Sequence, residues 1–271
     1  MDCIGYGAHD EKGLLVPIKF KRRTPGPDDV TFQITQVGCA IQSSTMCSIK
    51  GAQPSTLLSL GGFSNAMVTH QRYLAKIPDA LASEFVAPLL CAGITVYSPL
   101  MRYHMNQSSK SLGVIGLGGL SHMAVKFGKA FGLRVTVLST SPAKEEEALT
   151  VLGADAFIVS KDEAAMKAAG GSLDFIVDTA SGIHPLDPYL SLLKYEGIIA
   201  VVAAPPEMRF MPTLLFMGLK TVTGSVIGRI KEVQEMLGFC GEKGVTPIIE
   251  TIPIDYANEA LKRLQNNNVH Y

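Results

Sequence analysis

The sequence predicts an α/β fold: a doubly wound parallel sheet, flanked in sequence by two parts of a second, mainly β domain. Short β-branched runs alternate with longer amphipathic runs from Leu112 to Gly228, a glycine turn joins the first strand to the first helix, and the flanks lack this alternation. Alternating strands and helices of this length indicate parallel strands joined by helical crossovers.

The central region divides into six predicted strands and four predicted helices. The strands are Leu112–Ile115, Arg134–Leu138, Ala156–Val159, Phe175–Asp178, Ile198–Ala203 and Thr221–Ser225. The helices are Leu120–Phe131, Pro142–Leu152, Glu163–Ala169 and Pro188–Leu193. Ser141 and Pro142 are typical of a helix start, since serine caps the first N–H groups and proline fits the first helical position.

The segment from Ser111 to Ser121 (SLGVIGLGGLS) gives the clearest functional signal in the chain. An apolar strand leads into Gly116, Gly118 and Gly119, and a helix follows. Because glycine has no Cβ atom, backbone amides at such a turn approach a pyrophosphate closely. The free N–H groups and positive dipole end of the next helix favour the same phosphates. This context predicts a dinucleotide site.

The flanks are predicted to form the second domain. Residues 1–90 contain scattered strands, such as Val30–Ile34 and Ala66–Val68, separated by Gly, Pro and Ser. After Gly228 the predicted elements are a helix, Ile230–Glu242, a strand, Ile248–Ile254, and a final helix, Tyr256–Gln265. This order indicates a nucleotide-binding core inserted between two halves of another domain.

Charge, hydropathy and cysteine content indicate which partners and which cell compartment to expect. The 24 basic and 24 acidic residues cancel, so no nucleic-acid partner is expected. The uncharged run from Phe85 to Met101 is interrupted by proline and glycine, which predicts a buried segment and no membrane partner. The first thirteen residues are charged and do not resemble a secretory signal. Five irregularly spaced cysteines are typical of reduced thiols, and the predicted location is the cytoplasm.

The end of the second predicted strand indicates which dinucleotide is bound. An NAD site usually has Asp or Glu there, about 20 residues past the glycine turn. This chain has Ser139, Thr140, Ser141 and Lys144 instead, and its first carboxylate is Glu145. Hydroxyl groups and a lysine suit a ribose 2′-phosphate, so the sequence favours NADP(H) over NAD. An ordinary strand-to-helix cap is the alternative interpretation, and one loop can serve both purposes.

Candidate catalytic groups are few. Cys91 lies in an apolar segment, where a cysteine is either a small buried hydrophobe or a ligand. Cys39 and Cys47 reach it only through tertiary structure, and a catalytic zinc needs three protein ligands. His122 is predicted to pack near the cofactor, and Thr179, after a strand end, to contact it. The remaining histidines are predicted to be surface or loop residues: His9, His70, His104, His184 and His270.

Six stretches together resemble the plant cinnamyl alcohol dehydrogenase family of zinc-type, medium-chain alcohol dehydrogenases. They are residues 87–100, 116–121, 124–132, 139–148, 152–155 and 224–228. The resemblance extends from about Gly61 to Tyr271, with a shorter match over residues 5–36. It implies NADPH-dependent reduction of hydroxycinnamaldehydes to alcohols, as in the phenylpropanoid pathway, a catalytic zinc and a second, four-cysteine zinc. It also implies a small-molecule aldehyde or alcohol substrate and a homodimer.

The resemblance also implies domain limits and site residues. Residues 1–92, completed by 229–271, correspond to a truncated GroES-like catalytic domain, and residues 93–228 to an NADP-binding Rossmann domain. Cys91 resembles the third catalytic zinc ligand. The implied cofactor contacts are Thr95, Gly116, Leu117, Gly118, Gly119, Leu120, Ser121, Ser139, Thr140, Ser141, Lys144, Thr179, Ala203, Val226, Ile227 and Gly228.

This chain departs from the family pattern in its zinc motifs. Ala40 stands at the place of the first zinc ligand, with Cys39 one residue away, and the sequence passes from near Gly51 to Gly61 without the Gly-His-Glu motif or the four-cysteine lobe. We therefore expect weak or absent zinc binding and little alcohol dehydrogenase activity. The alternatives are a non-catalytic NADPH-binding or dimerising remnant, and a zinc-independent NADPH reductase that uses protein hydrogen-bond donors.

Overall fold

A computed structural model of the chain describes residues 1–8, 14–37, 63–266 and 268–269. The chain divides into two compact units. The first comprises the described residues within 1–76, 82–87 and 249–270, and the second comprises residues 77–81 and 88–248. The domain limits at residues 92 and 228 stay a prediction.

The described residues form strands and α-helices in both units, and in the second unit the two kinds of element alternate. The strands are β1 (Asp2–Ala8), β2 (Leu15–Lys21), β3 (Asp29–Gln33), β4 (Ala66–His70), β5 (Ser111–Ile115), β6 (Arg134–Ser139), β7 (Ala156–Val159), β8 (Leu173–Asp178), β9 (Leu193–Val201) and β10 (Thr221–Gly224). The α-helices are α1 (Ser83–Pro88), α2 (Ile94–Arg102), α3 (Gly119–Ala130), α4 (Glu163–Ala168), α5 (Asp187–Leu192), α6 (Thr213–Phe216), α7 (Ile230–Lys243) and α8 (Ala257–Gln265).

The first unit contains two antiparallel pairs, β1 with β2 and β3 with β4. The strands predicted near Val30 and Ala66 are therefore confirmed. Helix α8 is held to β2 by a reciprocal pair of hydrogen bonds. The Asn258 side chain accepts from the Leu15 N–H and donates to the Leu15 carbonyl, both at 2.8 Å.

The second unit is built on a six-stranded sheet in the order β10-β9-β8-β5-β6-β7, with all neighbouring strands parallel. All six predicted strands and the doubly wound fold are confirmed. The strand order reverses between β5 and β8, and this reversal creates the crevice where α/β sheets bind ligands. Ile115 is in register with Leu138 on one side and Asp178 on the other, so β5, β6 and β8 reach the crevice together.

The apolar segment before the sheet is helical. Helices α1 and α2 are joined by a π-helical turn at Leu89–Gly93, directly after Pro88, which has no N–H to donate. The continuous run Ser83–Arg102 is long and apolar enough to cross a membrane, yet 56% of its most apolar 18-residue stretch is buried inside the protein. Ile94, Val96 and Leu100 are almost completely buried, as α2 packs on α3 and α7. This packing accounts for the apolar composition.

The strand predicted at Ile248–Ile254 is wrong. Within this segment, which the structure describes in full, no strand is present, and a 3-10 turn covers Ile254–Tyr256. Pro247 and Pro253 lack the N–H groups that a strand ladder needs. The Ile248 N–H instead donates to the imidazole of His122, 3.3 Å away.

Candidate nucleotide-binding site

The glycine turn lies at the switch point of the sheet, between the end of β5 and the start of α3. Gly116 has φ of +92°, a backbone conformation that side chains with a Cβ rarely adopt. Its N–H donates to the Leu138 carbonyl at 2.8 Å, and a Cβ there would lie 3.2 Å from Thr179 Oγ1. Glycine is therefore required at this position for the turn to form.

The space above Gly118 and Gly119 is open. A Cβ at either position would have no neighbour within 4 Å. Gly118 is the N-cap of α3, so the unpaired N–H groups of the first helical turn face this space. An open surface at the N-terminus of a twelve-residue helix fits a pyrophosphate.

A chain of hydrogen bonds fixes the shape of this turn. The Gly118 N–H donates to Ser121 Oγ at 3.1 Å, and Ser121 Oγ lies 2.7 Å from Thr179 Oγ1. Thr179 Oγ1 donates to the Ile115 carbonyl at 2.7 Å, so the proton between the two hydroxyls belongs to Ser121. Both hydroxyls thus hold the turn against β8, and their predicted contacts with the cofactor stay a prediction.

The loop after β6 lies beside the glycine turn. The Lys144 ammonium group donates to the Leu117 carbonyl, which places a positive charge beside the glycine turn. Ser139 is buried and accepts from the Ser141 N–H at 3.3 Å, while Thr140 is exposed. The structure therefore brings the predicted 2′-phosphate residues and the predicted pyrophosphate residues together.

The other predicted cofactor contacts lie on neighbouring elements. Leu117 is buried, Leu120 is half-buried on α3, and Thr95 is buried on α2. Ala203 follows β9, and its N–H points to the Asp178 carbonyl at 3.4 Å. Val226, Ile227 and Gly228 follow β10, the edge strand three positions from β5, and the first two are each 59% exposed. Their contact with a cofactor stays a prediction.

His122 is buried in α3 beneath the glycine turn. Its Nδ1 lies 3.4 Å from the Gly118 carbonyl, and its Nε2 accepts from the Ile248 N–H. Burial lowers the pKa of His122 from 6.5 to about 4, so the imidazole is neutral at pH 7. A neutral group with both ring nitrogens engaged supports packing rather than a role as a general base.

This buried imidazole makes stability depend on pH. His122 takes up its proton at about pH 6.5 when unfolded but only near pH 4 when folded, so stability is lost as the pH falls between these values. We expect the free energy of unfolding to fall by about 2 kcal/mol between about pH 6.5 and pH 5 through this group. Urea unfolding of the chain and of His122→Gln at both pH values tests this. An equal pH dependence in both proteins contradicts it.

The described residues do not form a zinc site. Cys91 is partly exposed in the π-helical turn. In the part of the chain that the structure describes, no three His, Cys, Asp or Glu side chains group together so as to hold a metal. The other segment in question, with Cys39, Ala40 and Cys47, lies outside the described residues.

Sequence reasoning missed one polar pair at this edge of the sheet. Asp178 is completely buried, and Nε2 of His184 lies 3.1 Å from its Oδ2. The prediction that His184 is a surface or loop residue is confirmed, since it lies on a loop, and its side chain is 17% exposed. No spacing or motif in the sequence indicates this pair, because it depends on how the loop after β8 folds back.

The chain is similar in sequence to known dehydrogenases. Residues 119–265 match the profile of the family described as "Zinc-binding dehydrogenase". The "Probable cinnamyl alcohol dehydrogenase 1" of Oryza sativa subsp. japonica is 42% identical, and the alignment covers 100% of this chain and 95% of the relative. That alignment spans 335 positions for 271 residues, so the chain is shortened internally.

Solved structures give the same result. A cinnamyl alcohol dehydrogenase from Sorghum bicolor superposes with a TM-score of 0.85 at 37% identity, covering 100% of this chain and 96% of that one. A cinnamyl alcohol dehydrogenase from Helicobacter pylori, solved with NADP(H), gives 0.78 at 26% identity and covers 99% and 96%. The likeness extends over both compact units.

Proposed function

Because this chain belongs to the plant cinnamyl alcohol dehydrogenase family of zinc-binding dehydrogenases, we propose that it binds NADPH and serves in the cytoplasm as a reductase of hydroxycinnamaldehydes, with low activity because its sequence lacks the zinc motifs of the family. The family supports an oxidoreductase role. The observation that best supports NADPH as the cofactor is that the open glycine turn lies beside Lys144 and the hydroxyl-bearing loop after β6. The nicotinamide of NADPH, when bound, supplies a hydride to the substrate carbonyl.

Two parts of NADPH would be bound at the ends of two neighbouring strands, the pyrophosphate after β5 and the 2′-phosphate after β6. The free N–H groups of the first turn of α3, beginning at Gly119, would bind the pyrophosphate, helped by the dipole of α3. Lys144 and the Ser139–Ser141 hydroxyls bind the 2′-phosphate, since this loop has no carboxylate before Glu145 to repel it. The positive charge of Lys144 already stands beside the turn, so little rearrangement is needed.

Cofactor choice tests this assignment directly. Lys144→Ala removes one charge-assisted contact with the 2′-phosphate, which is worth about 1.5 kcal/mol, so NADPH binding is expected to weaken about tenfold. NADH has no such phosphate, and its affinity should be unchanged. Calorimetric titration of both nucleotides measures this. Lys167→Ala on α4 is the matched control, and an equal loss for NADPH and NADH contradicts the assignment.

Catalysis is tested separately from binding. The purified chain is assayed for bound zinc by elemental analysis and for NADPH oxidation with a hydroxycinnamaldehyde. Turnover with stoichiometric zinc supports the activity of the family, and turnover without zinc identifies a zinc-independent reductase. NADPH binding without turnover of aldehydes or other conjugated carbonyls contradicts the proposed reaction and leaves a non-catalytic remnant.

The proposed homodimer would use the free edge of the sheet. β10 is an edge strand, and the segment before it exposes Phe216, Met217 and Leu219 to 70%, 84% and 55%. Unpaired edge groups beside apolar side chains favour pairing with a second copy. Light scattering should therefore give twice the mass of 29.0 kDa. Met217→Glu should yield a monomer, whereas an unchanged mass in this variant contradicts the use of this edge.

A further inference from the structure

The loop after β8 is closed by two hydrogen bonds to one imidazole. Nδ1 of His184 lies 2.8 Å from the Gly182 carbonyl, and Nε2 lies 3.1 Å from Asp178 Oδ2. The second oxygen of Asp178 accepts from the Ala180 N–H at 3.0 Å. Residues 178–184 therefore form a compact turn around one carboxylate.

These contacts require a proton between the two side chains. A carbonyl oxygen can only accept, so Nδ1 of His184 carries a hydrogen. The remaining contact, from Nε2 to a carboxylate oxygen, also needs one hydrogen. It resides either on the imidazole, giving an imidazolium and a carboxylate, or on Asp178, giving a neutral pair. A neutral imidazole beside an ionised Asp178 has one N–H for two acceptors and cannot satisfy both.

The surroundings favour keeping this proton. Asp178 is flanked in the sheet by Ile115 of β5 and Val201 of β9, both apolar and buried. From α5, Tyr189 meets the imidazole edge-on, with ring centroids 5.7 Å apart. Burial raises the pKa of Asp178 and that of Tyr189, so both resist ionisation.

The same turn holds the nucleotide site. Thr179 directly follows Asp178, and its hydroxyl is in the hydrogen-bond chain with Ser121 and the Ile115 carbonyl. We infer that Asp178 and His184 share one proton, and that this proton positions Thr179 against the glycine turn and so sets the affinity for the nucleotide. Asp178 and His184 are positioning residues. The inference rests on the proposed NADPH function for its affinity readout.

Loss of the proton at alkaline pH is expected to loosen the turn. The imidazole then gives up either Gly182 or Asp178, and Thr179 loses its fixed position. We expect NADPH affinity to fall about tenfold once the pair has lost this proton, as for one lost hydrogen bond to a charged group. The 2′-phosphate, with a second pKa of about 6, is already mostly ionised at pH 7 and contributes little to an alkaline decline.

Asp178→Asn provides a variant that cannot titrate. The asparagine amide donates to Nε2 of a neutral His184, and its carbonyl accepts from the Ala180 N–H, so every contact is kept without a shared proton. We expect this variant to bind NADPH at pH 7 within about threefold of the unmodified chain and to lose the alkaline decline. All other ionisable groups are present in both proteins, so the difference between their pH profiles of NADPH affinity reports the Asp178–His184 pair. His104→Asn, on an exposed residue of positive φ, should leave the pH profile unchanged.

The experiment combines calorimetric NADPH titrations with ¹H–¹⁵N spectra of His184, assigned with His184→Ala, in the absence of nucleotide. The Gly182 contact requires a protonated Nδ1 at pH 7, and an alkaline transition of the His184 nitrogens whose midpoint matches the affinity decline supports the inference. A flat pH profile in the unmodified chain, or the same decline in Asp178→Asn, overturns it. If the unmodified chain fails to bind NADPH at pH 7, the proposed function fails, and the spectra still decide whether the pair holds its proton.

Discussion

Gly118→Asp is expected to weaken NADPH binding more than 100-fold while leaving the fold intact. A Cβ at Gly118 meets nothing within 4 Å, and φ of −160° is open to any residue. Aspartate is also among the best N-caps, so it should stabilise the start of α3. Its carboxylate would occupy the phosphate position and repel the pyrophosphate, at a cost that we set at about 3 kcal/mol or more.

Two controls separate charge from position in this experiment. Gly118→Ala adds volume without charge and should weaken binding much less than aspartate does. Gly238→Asp adds the same charge on the exposed face of α7, where a Cβ also has no neighbour within 4 Å, and should bind NADPH normally. Tight binding by Gly118→Asp, with thermal melting unchanged, would place the pyrophosphate elsewhere.

Gly128→Val is expected to destabilise the second unit by about 3 kcal/mol. Gly128 faces the sheet from α3, and a Cβ there would lie 2.8 Å from Val135 Cγ2 and 2.9 Å from Leu112 Cδ2. Both side chains are completely buried, so moving them aside disturbs the packing around them. Since α3 carries the phosphate-binding turn at its N-terminus, displacing it should also weaken NADPH binding.

Replacing each of two helical glycines by alanine is expected to change stability in opposite directions. Replacing glycine by alanine in a helix interior normally stabilises by about 1 kcal/mol. Gly238→Ala, with open space around it, should show that gain, whereas Gly128→Ala should destabilise the protein. Thermal and urea unfolding measure both. A gain at Gly128 would show that α3 is free to move away from the sheet.

The nucleotide-binding half of the fold could be predicted from the sequence because its signals are local. β-branched runs, the Ser141–Pro142 helix start and the glycine turn each specify a short segment, and the alternation of such segments implies a parallel sheet. The adjacency of Lys144 and Leu117 follows from the same logic, since both residues lie at the carboxyl ends of neighbouring parallel strands.

The remaining features depend on contacts that no local pattern encodes. The sequence did not predict that residues 83–102 are helical, because Pro88 and Pro99 lie within them and proline usually interrupts helices. The strand predicted at Ile248–Ile254, in contrast, failed for a local reason, because its apolar composition was given more weight than the missing N–H groups of Pro247 and Pro253. The Asp178–His184 pair needs the turn after β8 to fold back over a buried strand end.

The Asn258–Leu15 contact bears on the order in which the chain folds. The two residues are separated by 243 positions, so β2 cannot be joined to α8 until the residues between them have been synthesised. The sheet unit, by contrast, is complete by Ile248 and consists mainly of one continuous stretch. Segments released earlier fold first, and contacts over long loops form slowly. The nucleotide-binding unit is therefore expected to form before β2 is joined to α8.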